Sequence, residues 1–211
     1  MLITPEQLRQ IATKISPERA QVMTDLINTV CPKYGINTKG VLHEFIGQCI
    51  HESGEFRAKT ENMNYSAQRL RMVWPKRFPS VDFALKYAFK PVELANFVYG
   101  GRMGNDRGGD GWRFRGGGFI GLTGKEVYTQ YTKYVNQRDR TNLNVGQVAD
   151  LVRSSDLWAL DSACWFFSVL KELNDEAAAD KQDLITLRIN GGYIGKKSRD
   201  EYVELARKII V

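Results

Sequence analysis

Apolar residues recur at helical spacing along most of this chain, and stretches that alternate apolar with polar positions are scarce. Leu8, Ile11, Ala12 and Ile15 follow Pro5 and Glu6 at intervals that predict a first amphipathic helix. Ser16-Pro17-Glu18 reads as an N-cap with proline at the first helical position, and the helix it starts runs toward Val30. Cys31-Pro32 and Tyr34-Gly35 break that pattern. From Thr38 a third helix is predicted, with Leu42, Phe45, Ile46, Cys49 and Ile50 on one face and Ser53-Gly54 at its end. Further helices are predicted around Ala67 to Val73, Val81 to Phe89, Pro91 to Val98, Lys125 to Tyr134 and Val145 to Val152. Trp158 to Glu172, Asp183 to Ile189 and Arg199 to Ile210 complete the set. Arg113 to Phe119 is the best candidate for a short strand or hairpin edge, so the fold is predicted to be mainly α with little or no β-structure. Glycines cluster between Gly100 and Gly124, which predicts an ordered loop region rather than a linker.

Composition narrows the class. At 211 residues, 43% hydrophobic and 26% charged, the chain suits one soluble domain, or one domain built as two lobes, able to bury a core without disulfides. Cys31, Cys49 and Cys164 are odd in number and far apart, so they read as small core residues. His43 and His51, on one straight helix, would lie about 12 Å apart, too far to share a metal, and no metal or cofactor is expected. The opening MLITPEQLRQIATKI lacks a basic n-region and an apolar h-region, and no apolar run reaches the length of a membrane span. The expectation is a protein made and folded in a cytoplasm, without membrane insertion. A net charge of +6 fits an anionic partner, either nucleic acid or an anionic polymer such as a bacterial envelope, and it fits equally a basic surface that aids solubility.

Two carboxylates draw attention. Glu52 follows Phe45 by seven residues, so on a helix the two point within about 20° of each other. A carboxylate at the end of an apolar stripe and in the last helical turn is disfavoured as an anion, which is what a general acid needs. Taken alone, the same placement suits a wet carboxylate at a fraying helix end. Glu61 sits in AKTENMNYSAQ, crowded with amides and hydroxyls, where an ionised base or an ordinary loop charge would be at home. Two carboxylates in unlike surroundings follow the acid/base logic of glycoside hydrolysis.

The glycine-rich stretch tests other chemistry. GGGFIG at 116–121 matches G-x-G-x-x-G in form, but no buried strand precedes it and no strand–helix alternation surrounds it. TGKE at 123–126 lacks both the hydroxyl residue after the lysine and the glycine that a phosphate loop needs at Phe119. Nucleotide binding is therefore set aside. Trp112, Phe114 and Phe119 interleaved with Arg113 and Arg115 suit sugar rings, and they suit single-stranded nucleic acid as well.

HESGEF, ENMNYSAQRL, WPKRF, ANFVYGGRMGN, GDGWRFRGGGFIGLTG and RINGGYIG occur in this order. The set resembles the glycoside hydrolase family 19 catalytic domain, in the compact form found in bacteriophage endolysins and related bacterial enzymes. The likeness runs from about Leu42 to Tyr202. It implies a lysozyme-like helical fold with a substrate cleft: residues 1–211 as a single catalytic domain, a larger lobe over about 1–55 and 112–211, and a smaller one over about 56–111. By resemblance Glu52 is the general acid, Glu61 the general base, and Thr123 the residue that helps hold the attacking water. Asn190 and Arg199 match sugar-binding positions, Arg199 on the looser alignment. Tyr65 and Trp74 fall in motifs near the cleft, and Trp112 and Arg115 are further candidates for substrate contact.

Departures from the family pattern are specific. Gly117 stands where the family has arginine, Gly121 where it has glutamine, and Val127 where asparagine is common. They bear on substrate preference more than on reaction type, and Arg113 or Arg115 could supply the missing donors. The expectation is an endolysin that cleaves β-1,4 bonds of peptidoglycan glycan strands with inversion, its two carboxyl groups roughly 6.5–9.5 Å apart. It would act as a monomer, bind no nucleic acid, accumulate in the host cytoplasm and reach the periplasmic wall with the help of a holin. Chitinase activity on the same fold and a nonenzymatic wall- or nucleic-acid-binding module are the rivals.

Overall fold

A computed structural model describes residues 1–211. In chain order its helices are α1 (Pro5–Ile11), α2 (Pro17–Val30), α3 (Lys39–Ser53), α4 (Ala67–Val73), α5 (Val81–Leu85), α6 (Pro91–Tyr99) and α7 (Asp110–Arg113). They continue with α8 (Lys125–Asp139), α9 (Val145–Ser154), α10 (Asp156–Trp165), α11 (Asn174–Ala178), α12 (Gln182–Asn190) and α13 (Lys196–Ile209). A 3-10 turn at Cys31–Tyr34 follows α2, and a π-helical turn at Phe166–Leu170 extends α10. The fold is mainly α, and no sheet forms.

Local chemistry starts these helices where the sequence asks. Thr4 caps α1 with a full capping box shared with Gln7, and Ser16, Ser66 and Ser80 cap α2, α4 and α5 through their hydroxyls. Gly54, in the left-handed region, ends α3. Two expectations are corrected. Residues 81–89 hold helix only to Leu85, after which the chain turns and Phe89 takes a φ of +55°. Arg113 to Phe119 is not a strand: α7 ends at Arg113, and the stretch after it makes only an isolated antiparallel bridge, Gly117 to Leu122. Gly118 and Gly121 both have positive φ there, a tight turn that extended backbone cannot make.

The chain divides into two compact units. The first comprises 1–59, 117–122 and 150–211; the second comprises 60–116 and 123–149. In the first, α3 is buried on nearly every side from Val41 to Ile50, as a central helix rather than an amphipathic one. Its main neighbour is α13. Gly47 is what lets the two helices close up, since a Cβ there would lie 2.4 Å from Val203 Cγ2. Cys31, Cys49 and Cys164 are free thiols buried in the same core.

The second unit is built on aromatic rings. Phe78 is fully enclosed and meets Trp74, Phe83, Tyr87 and Phe97 at centroid distances of 6.3, 6.0, 5.8 and 5.5 Å, while Tyr87 and Phe97 stack at 4.4 Å. Met63, Leu70, Leu94 and Val98 fill the space between them. Rings supply large apolar area from few residues, which a unit of this size needs.

Candidate active site

In the first unit the site is built around the last turn of α3. Glu52 lies one turn after Gln48, and both side chains meet Arg199 from the first turn of α13. Arg199 Nη1 donates to Gln48 Oε1 at 2.7 Å, and Nη2 forms a short ion pair with Glu52 Oε1. The guanidinium is enclosed, with its side chain 2% exposed, whereas the Glu52 side chain is 26% exposed. The surroundings predicted for Glu52, the end of an apolar stripe, are therefore not what is found. The carboxylate faces an arginine brought from 147 positions further along the chain.

The loop before α13 sets where that arginine stands. Asn190 is exposed, and its Nδ2 donates to the carbonyl of Ile194 at 3.0 Å, closing the 190–194 turn. Gly195 then lies against the His51 ring, where a Cβ would come within 2.6 Å of Nε2. His51 Nδ1 and Ser198 Oγ are 3.0 Å apart. Burial, and then the nearby Arg199 charge, lower the proton affinity of His51.

In the second unit Glu61 is held by neutral donors. Its Oε1 accepts from the Tyr99 hydroxyl at 2.6 Å and its Oε2 from the Gly116 N–H at 3.1 Å. The Glu61 N–H donates in turn to the Gly116 carbonyl at 2.9 Å, so backbone and side chain are both tied to one glycine. Burial, then the Glu61 charge, push the phenols of Tyr99 and Tyr65 up.

Thr123 belongs to the same cluster. A Cβ placed on Gly116 would lie 3.2 Å from Glu61 Oε2 and 3.4 Å from Thr123 Oγ1, so a carboxylate and a hydroxyl flank this glycine. Thr123 is set there by Gly124, whose N–H donates to the Phe114 carbonyl at 2.8 Å and whose φ is +95°. Met103 fills the position a side chain on Gly124 would need.

The other predicted residues fall as follows. The Arg115 guanidinium stacks 3.4 Å above the Trp112 ring and donates to the Trp112 carbonyl at 2.7 Å. Tyr65 and Trp74 pack against each other at 5.3 Å, and Trp74 joins the aromatic core of its unit. Gly121 is exposed, and open space surrounds the position of a Cβ, whereas Gly117 is buried in its bridge to Leu122. No cluster of three or more His, Cys, Asp or Glu residues could hold a metal ion. Sequence reasoning missed Gln48, Gly116 and Tyr99. Gln48 was reachable, since it precedes Glu52 by one helical turn; Tyr99 and Gly116 depend on chain paths that no local pattern encodes.

Comparison with known proteins places these observations. No protein-family model matches the chain. A protein of Haemophilus influenzae, named as a glycosyl hydrolase family 19 domain-containing protein, is 36% identical over 200 residues, covering 94% of this chain and 92% of its own length.

Proposed function

The chain belongs to glycosyl hydrolase family 19, and from that premise we propose that it is an endolysin hydrolysing the β-1,4 glycosidic bonds of bacterial peptidoglycan by inversion. The observation that carries the mechanism is the pairing of Glu61 and Thr123 around Gly116, a carboxylate and a hydroxyl set to receive and orient one water. In this reading Glu52 donates a proton to the glycosidic oxygen as the bond from C1 to that oxygen breaks. Glu61 takes a proton from the water while the water oxygen bonds to C1 from the opposite face. The two proton transfers balance, and the sugar leaves with inverted configuration.

Arg199 serves Glu52 rather than the sugar, because its guanidinium is enclosed and already engaged. Asn190 keeps its amide oxygen for substrate while its nitrogen shapes the loop. The stacked Trp112 and Arg115, with Tyr65, offer ring faces and donors to the glycan. A net charge of +6 favours an anionic polymer over neutral chitin. No helix is long and apolar enough to cross a membrane. In this reading passage to the wall falls to a separate holin-type protein.

The test is to incubate the protein separately with purified peptidoglycan and with soluble chitin oligomers, reduce the products and read the new end by mass spectrometry. Reduced muramic ends from peptidoglycan support the reading. Turnover of chitin oligomers alone replaces it with a chitinase, and binding without any new reducing end removes the enzyme reading. Proton NMR of the first product detects inversion as the α-anomer.

A further inference from the structure

Gln48 is fully buried on α3, and its amide oxygen is spent on one amino group of Arg199 while the other amino group of that arginine meets Glu52. We infer that Gln48 is a positioning residue for the reaction: it fixes the rotation of the Arg199 guanidinium, and through it the place of the Glu52 carboxyl beside that cation. The inference rests on the reading of Glu52 as the proton donor.

The geometry argues for this over a purely structural role. A guanidinium is a planar fork, so fixing one amino group sets where the other points. Gln48 and Glu52 stand on one helix at a spacing of four, so both are rigidly referred to the same backbone. Gln48 Nε2 and Arg199 Nε are both enclosed without a protein partner. An apolar pair of similar volume would avoid that desolvation, so stability alone does not account for the polar one. The choice of amide over carboxylate is also informative. A glutamate at 48 would compete with Glu52 for the same cation, whereas a neutral acceptor orients Arg199 and leaves its charge for Glu52. The ionisable groups around Glu52 in this unit are Arg199 from α13 and, on α3, the His51 ring and the buried Cys49 thiol, which burial pushes up.

The experiment compares the kcat/KM pH profile of the wild-type protein with Gln48→Met and Gln48→Glu on soluble peptidoglycan fragments. Gln48→Met is expected to lower kcat about tenfold with KM within about twofold, and to move the alkaline limb to higher pH because the cation beside Glu52 is no longer held. Gln48→Glu, the same shape with a competing charge, is expected to move that limb further. An unmoved limb in both variants overturns the inference, whatever happens to stability. Glu52→Gln is the control: retention of its activity removes the proton-donor reading and this inference together. Loss of its activity with wild-type profiles in both Gln48 variants overturns the inference alone. Should the variants not fold, the side-chain amide signals of Gln48 decide. They must move between the wild-type protein and Glu52→Gln, and unmoved signals overturn it.

Discussion

The two ends of the α3–α13 pair use the same residue types in opposite ways. At one end Glu44 of α3 meets Arg207 of α13 at 2.9 Å, with the carboxylate side chain 1% exposed and the arginine 27%. Eight residues along both helices, Glu52 meets Arg199, and the order is reversed: the arginine is at 2% and the carboxylate at 26%. Between them Gly47 brings the helices close enough to hold both pairs. The difference shows what makes an ion pair usable for chemistry. A carboxylate that points outward from a buried cation can reach a substrate, whereas one sealed beneath a surface arginine can only hold helices together. Arg207 also ties Asp180 and, at 2.9 Å, Glu204, so that end is a lock of several charges.

The largest effect should separate the two glutamates. Glu52→Gln should lower peptidoglycan hydrolysis ~1,000-fold or more, about 4 kcal/mol of barrier, with an unchanged circular dichroism spectrum. Glu44→Gln should leave the rate within about twofold. The reverse pattern in a turbidity assay would break the comparison.

Next comes stability against pH. Burial raises the carboxyl of Glu44 to about 7 from its ordinary 4.5, despite the opposing Arg207. A group whose folded-state value is raised stabilises most below the unfolded value, and that contribution is lost as pH rises through about 7. Glu44→Gln should therefore melt higher than wild type at pH 8, by up to about 3 kcal/mol, with the advantage shrinking toward pH 4.5. His43 works the other way: burial lowers its proton affinity, so its contribution fades as pH falls through the ordinary histidine range. The difference between variant and wild type, rather than either curve, is thus the measurement. An advantage that does not vary with pH would show that Glu44 is not the titrating group.

Gly47→Ala tests what both pairs share. Its Cβ would overlap Val203 and press on the α13 backbone at 3.1 Å, so denaturant unfolding should show a loss of about 2 kcal/mol. Activity should fall as well, because Arg199 rides on the displaced helix. Unchanged stability would mean that the close approach is not obligatory.

Tyr99→Phe gives the smallest effect and extends the comparison to a carboxylate held by neutral groups. Glu61 keeps the Gly116 N–H when the phenol oxygen is gone. Stability should drop by about 1 kcal/mol and the rate only severalfold. A loss as large as that of Glu52→Gln would make Tyr99 a participant rather than a support.

Helices were legible wherever a cap or breaker coincided with periodicity. Ser16-Pro17 and Gly54 each act through atoms of neighbouring residues, and each marks its boundary as expected. Arg113 to Phe119, the best strand candidate, turns instead, because Gly118 adopts a positive φ and the stretch closes on Leu122. The surroundings of Glu52 could not be read at all. Helical spacing placed the carboxylate one turn after Gln48, but Arg199 arrives from the far end of the chain.

By itself, then, the amino-acid sequence determined the helical class, most helix boundaries and the ordered motifs that mark the family, because these depend on residues a few positions apart. The tertiary structure alone decided which charges meet. It set Arg199 beneath Glu52 and Arg207 above Glu44, and it set Tyr99 and Gly116 around Glu61. The physical reason is range: capping and periodicity act within a turn, whereas a carboxylate's partner is chosen by how distant helices pack.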